Sequence, residues 1–114
     1  MRLFSPSPSD PEGWVPNTDI YISGDGTLVL LVELAGMEKE NLELTKEPNR
    51  LLIKGERPDA GRRIKYEHLA AGLHYGRFEA VAEIPPSFDL TRAKAAYRNG
   101  ILRIDVPRKP EPGL

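Results

Sequence analysis

The sequence predicts an all-β fold of short antiparallel strands, and three observations lead to this prediction. The dipeptide Asn99-Gly100 tolerates the positive φ angles that a two-residue hairpin turn requires. The run after it alternates, because Leu102, Ile104 and Val106 share one face while the residues between them take the other. A third run, residues 28–34, is apolar on both faces, which is typical of a strand inside a β-sandwich.

Turn-forming residues divide the remaining chain into further strand candidates. In the segment 41–46, Leu42 and Leu44 fall on one face. Residues 89–97 are ambiguous, since Asp89 offers a helix N-cap and good helix formers follow it, so that propensity alone predicts a helix there. The predicted strands are residues 19–22, 28–34, 41–46, 51–57, 76–85 and 101–106.

The composition excludes several classes of function. With 114 residues the chain is expected to be one domain that folds without a cofactor. Sixteen basic and seventeen acidic residues give a net charge of −1 with no basic stripe, which argues against nucleic acid or anionic lipid as partner. The chain has no cysteine and no apolar run long enough to span a membrane, and we therefore expect a soluble, cytoplasmic protein.

Proline is concentrated at the two ends of the chain. Because proline cannot donate a backbone hydrogen bond, the Pro- and Ser-rich ends are expected to be extended and mobile and to join neither a sheet nor a helix. This gives three predicted segments: a flexible arm at 1–13, a compact domain at 14–107 and a flexible tail at 108–114.

Three blocks in the same order resemble the α-crystallin domain of small heat-shock proteins. The blocks are Trp14-x-Pro16-x-x-Asp19-Ile20-Tyr21, then Ala35-Gly36-Met37 with the later Gly55-Glu56-Arg57, then Ala95-x-x-x-Asn99-Gly100-Ile101-Leu102. The resemblance implies an immunoglobulin-like antiparallel β-sandwich of α-crystallin type with seven to eight strands, in which the run before Asn99 is a strand. One departure is Ala80, which stands where the family pattern has an arginine.

A long polar connection, residues 58–75, contains one short alternating piece at 62–67. The resemblance implies that this piece is a strand exchanged between two subunits, covering the edge of the partner's first strand. The implied dimer interface consists of Asp19, Ile20, Tyr21, Ile22, Arg62, Arg63, Ile64, Lys65 and Tyr66. Because the tail carries no I/V-x-I/V triplet outside the last strand, a dimer with weak further association is the expected assembly.

The resemblance also implies a docking groove in which Leu42 and Leu44 face Ala95 and Tyr97. For Leu44 and Ala95, a place in the core is an equally good interpretation. Leu3 and Phe4 are possible further contacts for client proteins, or two incidental apolar residues of a mobile arm. Trp14 is expected to anchor an edge of the core.

Catalytic and metal-binding patterns are not found. His68 and His74 have a spacing that suits neither a shared helix face nor one metal, and no serine lies in a nucleophile motif. We therefore expect no enzyme activity, no metal and no cofactor.

The resemblance instead implies an ATP-independent holdase, which binds partly unfolded client proteins through apolar surface and limits their aggregation. Two alternatives stay open: a passive dimerisation, assembly or regulatory module of the same fold, and a CS/p23-like co-chaperone.

Overall fold

The computed structural model of the protein describes residues 3–10, 13–59 and 67–111. The strands are β1 (Phe4–Pro6), β2 (Thr18–Ile22), β3 (Leu28–Glu33), β4 (Glu43–Glu47), β5 (Arg50–Arg57), β6 (Gly76–Glu83), β7 (Lys94–Arg98) and β8 (Ile101–Val106). Short 3-10 turns, Lys39–Asn41 and Leu90–Arg92, precede β4 and β7. The strands form two four-stranded antiparallel sheets that pack face to face, with the orders β1-β6-β5-β4 and β2-β3-β8-β7.

The hairpin predicted at Asn99-Gly100 is confirmed. Both residues adopt positive φ angles, 53° for Asn99 and 79° for Gly100, as a two-residue hairpin turn requires. β7 and β8 pair on either side of this turn, and the alternation of β8 places Leu102, Ile104 and Val106 in the core. The strongest local signal in the sequence therefore fixes the register of these two strands.

The core lies between the two sheets, and β3 forms its centre. Leu28, Leu30 and Val32 face the opposite sheet and are buried, as the two-sided pattern predicted. Val29, on the outer face of the same strand, is also fully buried, which explains why this strand is apolar on both sides. Trp14 packs against the edge of the core, in agreement with its predicted role as an anchor.

The helix signal in residues 89–97 is realised as one 3-10 turn followed by a strand. The Asp89 side chain accepts a hydrogen bond from the Thr91 backbone N–H at 3.1 Å, which is the capping interaction predicted for a helix start. The chain then becomes extended at Ala93 and pairs with β8 through residues Lys94–Arg98. Tertiary pairing with β8 thus overrides the helix propensity of this segment.

The prediction that the N-terminal arm joins no sheet is wrong. Residues Phe4–Pro6 form β1, which pairs with Ala80 to Ala82 of β6. The Ser7 N–H donates to the Glu79 carbonyl and the Glu83 N–H donates to the Leu3 carbonyl, both at 2.8 Å. Because the backbone groups of Leu3 and Ser7 point toward β6, those of Pro6 point away from it. The missing N–H of Pro6 therefore removes no hydrogen bond between the two strands.

Contacts also continue beyond Pro107, the predicted end of the domain. Arg108 forms an isolated bridge with Phe88, and its guanidinium carbon lies 4.8 Å from the centre of that ring. The Lys109 N–H donates to the Ser87 carbonyl at 2.9 Å. None of the helical segments in residues 3–10, 13–59 and 67–111 is long and apolar enough to cross a membrane.

Candidate functional site

Two edge strands from different sheets, β4 and β7, lie on the same side of the sandwich. The Lys46 ammonium of β4 donates to the Thr91 carbonyl just before β7 at 3.4 Å. Neither edge strand has a second partner strand within the described residues. A groove therefore runs between them, with backbone edges on both sides that can still form hydrogen bonds.

Of the four residues predicted for the groove, Leu44 lies in β4, Ala95 and Tyr97 lie in β7, and Leu42 directly precedes β4. Leu44 lies opposite the buried Ile53, and Ala95 opposite the buried Ile104, so both side chains project toward the space between the sheets. Leu42 and Leu44 are half-buried, whereas Ala95 is exposed. Leu44 packs against the core cluster, in keeping with its interpretation as a core residue, whereas the exposed Ala95 does not fit that interpretation.

Tyr97 lines the same groove, but its hydroxyl group is used inside the fold. It donates to the Leu34 carbonyl at 2.5 Å and lies 3.2 Å from the Met37 carbonyl. Both carbonyls lie in the connection between β3 and β4, so Tyr97 links β7 to the segment that leads into β4. The ring presents an apolar surface to the groove while the hydroxyl fixes the width of one end.

The other end of the groove is polar and opens into a recess. Lys46 lies opposite the buried Leu51 and so points into the groove. Beside it is a recess of about 430 Å³. Its lining includes Lys46, Pro48, Phe88, Leu90 and Lys109.

The turn that leads into β7 is held by the carboxylate of Asp89. Thr91 donates its hydroxyl at 2.5 Å and Arg92 donates Nε at 2.9 Å to this carboxylate. These hydrogen bonds, from Thr91 first and then Arg92, hold the pKa of Asp89 below its ordinary value. Because Thr91 is also the residue that Lys46 contacts, the Asp89 cap positions one wall of the groove.

This cap gives a prediction for pH dependence. Because the pKa of Asp89 is lowered in the folded protein, its charged form stabilises the fold above the ordinary value of 3.8, and the contribution is lost as the pH falls through the lowered pKa. Urea midpoints of the wild type and Asp89→Asn, measured between about pH 2 and pH 6, should differ at the upper end and converge in acid. A difference that stays constant over this range would contradict the assignment.

The predicted dimer interface is divided between described and undescribed residues. Within the described residues β2 pairs with β3 alone, and Tyr21 and Ile22 are 41% and 54% exposed. This edge is therefore available for a further strand. The predicted partner segment, comprising Arg62, Arg63, Ile64, Lys65 and Tyr66, lies outside the described residues.

The two ends of the long connection are held together at Arg57, a residue whose role could not be read from the sequence. Its guanidinium donates to the carbonyls of Ala35 and His74, each at 3.0 Å, and lies 4.8 Å from the Trp14 ring. The His74 ring stacks on Trp14 with 5.7 Å between ring centres. Trp14 in turn donates to the Gly76 carbonyl at 3.3 Å, which fixes the start of β6.

His74 therefore has a packing partner, the Trp14 ring. Within the part of the chain that the structure describes, no three His, Cys, Asp or Glu side chains are close enough to hold a metal ion. Leu3 and Phe4, the other predicted contacts, lie at the opposite edge of the sandwich, and Phe4 packs against the core.

Two antiparallel sheets that pack face to face, with β7 and β8 joined at Asn99-Gly100, are the fold that the resemblance implied. The sequence profile of the Hsp20/alpha crystallin family matches residues 21–113. The chain belongs to this family. The match covers the end of β2, all of β3 to β8 and both walls of the groove.

Curated relatives agree with this assignment. The chain is similar to small heat shock protein C2 of Rickettsia felis, with 27% identity over 95% of this chain and 70% of that protein. It is also similar to small heat shock protein C4 of the same organism, with 28% identity, but covers 58% of that protein. A 19.0 kDa class II heat shock protein of Oryza sativa is 31% identical over 80% of this chain and 55% of its own length.

Solved structures share the same fold. The hspA protein of Xanthomonas axonopodis is similar with a TM-score of 0.75 and 31% identity, over 85% of this chain and 96% of that chain. A small heat-shock protein of Xylella fastidiosa has a TM-score of 0.79 and 26% identity, over 90% and 93% of the two chains. The predicted α-crystallin sandwich is therefore confirmed, with eight strands in the described residues.

Proposed function

We propose that the protein is an ATP-independent holdase whose groove between β4 and β7 binds extended segments of partly unfolded proteins. Membership of a family of small heat-shock proteins supports a chaperone role. The observation that carries the proposal is the groove itself, in which half-buried Leu42 and Leu44 and exposed Ala95 line the space between two strand edges that no further strand of the described residues covers.

The groove offers an unfolded chain two kinds of interaction. Apolar client side chains can cover Leu42, Leu44 and Ala95, which gains the hydrophobic free energy of surface removed from water. The client backbone can pair with the open edge of β4 or β7, as in strand addition. Both interactions tolerate many sequences, which suits a protein that binds unfolded chains of different origin.

Such binding limits aggregation by mass action. A partly unfolded client that is bound to the groove is removed from the pool that aggregates, and it is released as the client refolds. No step in this sequence requires nucleotide hydrolysis. We further propose a cytoplasmic location, and a homodimer as the working unit, because the β2 edge is open to a strand from a second subunit.

Light scattering of a heat-labile client, without ATP, tests the function. We expect the wild-type protein to suppress the scattering in proportion to its concentration. The alternative of a passive dimerisation or assembly module predicts no suppression at any ratio of protein to client, and a CS/p23-like co-chaperone predicts suppression only when an ATPase partner is added.

Replacing Leu42 with Glu tests the groove. A carboxylate at this half-buried position disfavours apolar clients, and we expect most of the suppression to be lost while the fold is kept. Thr45→Glu is the matched control, because Thr45 is exposed and lies on the opposite face of β4. Equal suppression by the two folded variants would exclude the groove as the client site.

A further inference from the structure

The sheet that contains β4 has a second edge, on β6, which the N-terminal residues of the chain cover. β6 is eight residues long, and in the described residues its outer edge pairs with β1 at three positions, Phe4 with Ala82, Ser5 with Val81 and Pro6 with Ala80. One backbone hydrogen bond on each side, from Glu83 and from Ser7, extends the pairing. β1, which forms this edge of the sheet, is thus the shortest strand of the sheet.

The surface on which β1 lies is formed by small side chains of β6 and an adjacent recess. Ala80 and Ala82 are fully buried on the inner face of β6, and their small side chains leave space at the edge of the core. Phe4 lies opposite Ala82 on this inner face and packs against the core cluster. Next to it, a recess of about 290 Å³ is lined by Leu3, Ile84, Pro85 and Pro86. The edge therefore fits an extended strand that carries an aromatic side chain.

The contacts that hold β1 are few. Phe4 is its one large apolar side chain and is only half-buried, and Leu3 beside it is 40% exposed. The Ser7 hydroxyl, 3.0 Å from the Glu79 carboxylate, is the buried polar contact at the other end. A short edge strand with one aromatic anchor opens at a lower free energy than the core strands. When it opens, the edge of β6 becomes available for pairing.

We propose that the outer edge of β6 is a second client site, which takes an extended segment with an aromatic residue by strand addition, and that β1 is its displaceable cover. The occupant is a segment of a partly unfolded protein, with its aromatic ring in the place of Phe4. This inference rests on the proposed holdase function, since it assigns the same clients a second position. It differs from the groove, which lies at the opposite edge of the sandwich.

A reversible disulfide tests the proposal in the full chain. Ser5 and Val81 lie directly opposite each other, in a hydrogen-bonded antiparallel pair whose Cα separation of about 5.5 Å suits a disulfide, and the chain has no cysteine of its own. Ser5→Cys with Val81→Cys should lock β1 on β6 when oxidised and release it when reduced. The probe is a fluorescent peptide with the sequence of residues 3–10, the one sequence that the structure places on this edge.

We expect the peptide to bind the reduced protein and to lose its binding on oxidation, and client protection to fall on oxidation and return on reduction. In the otherwise wild-type chain, Phe4→Ala should raise the apparent affinity for the peptide by roughly tenfold, because the cover loses its anchor. A peptide in which Ser replaces the residue corresponding to Phe4 is the control and should not bind.

Three results would overturn the proposal: equal peptide binding in the oxidised and reduced states, no peptide binding to the reduced protein or to Phe4→Ala, or client protection that oxidation leaves unchanged. Failure of the proposed holdase function looks different, since the wild-type protein itself would then not suppress client aggregation, whatever the peptide does.

Discussion

Replacing Gly55 with alanine is expected to lower the thermal unfolding midpoint by about 5 to 20 °C. A Cβ at this position would lie 2.7 Å from Met37 Cε, 2.7 Å from Phe78 Cε1 and 3.0 Å from Leu42 Cδ2. Met37 and Phe78 are buried core residues, so the added methyl group has little room. Overpacking of this kind costs about 1 to 3 kcal/mol, and each 1 kcal/mol moves the midpoint of a domain of this size by roughly 4 to 8 °C.

Gly24→Ala is the matched control for this substitution. A Cβ on Gly24 would meet nothing within 4 Å, and its backbone does not require glycine. Thermal unfolding followed by circular dichroism should therefore give a midpoint close to that of the wild type. Equal midpoints for Gly55→Ala and the wild type would show that the space behind Leu42 is less restricted than the structure indicates.

The second large effect concerns the proposed dimer. Replacing residues 62–66 with a Gly/Ser segment of equal length is expected to convert the dimer into a folded monomer, because it removes the apolar and β-forming side chains of the strand proposed to cover β2. The chain mass should fall to the monomer value of 12.7 kDa in light scattering coupled to size exclusion.

The fold should survive this replacement. Arg57 bonds to the His74 carbonyl and lies over Trp14, so the two ends of the connection are held without the segment between them. The same Gly/Ser replacement at residues 69–72 is the control and should leave the mass of a dimer. If the first variant keeps the mass of a dimer, the exchanged strand is not the dimer contact.

The sequence predicted those parts of the fold that local chemistry specifies. Asn99-Gly100 defines a turn by backbone conformation alone, and the alternation after it defines which side chains of β8 are buried. Residues 94–98 needed the family resemblance, because their helix propensity is overruled by pairing with β8, a tertiary interaction. The groove residues named from the resemblance lie in β4, in β7 or directly before β4, and their role in client binding stays a prediction.

The features that the sequence did not predict have a common physical reason: each depends on contacts between residues that are distant in the sequence. The proline content of the arm predicts that it joins no sheet. A proline costs a hydrogen bond of the sheet, however, only when its backbone nitrogen points toward the neighbouring strand. The nitrogen of Pro6 points away from β6, so that no hydrogen bond is lost there. The role of Arg57 depends on carbonyls at Ala35 and His74, far from it in the chain. The sequence leaves both the groove and the core open for Ala95, which is exposed in the structure, because the burial of a side chain on an edge strand depends on what lies across the gap.

Hydrogen exchange of the protein with and without a permanently unfolded client tests the central claim most directly. We expect the amides of β4 and β7 to exchange more slowly with the client present, because the client pairs with these edges, while the amides of β3 in the middle of its sheet stay unchanged. A client that binds without slowing exchange in either β4 or β7 would contradict the assignment of the groove as a client site.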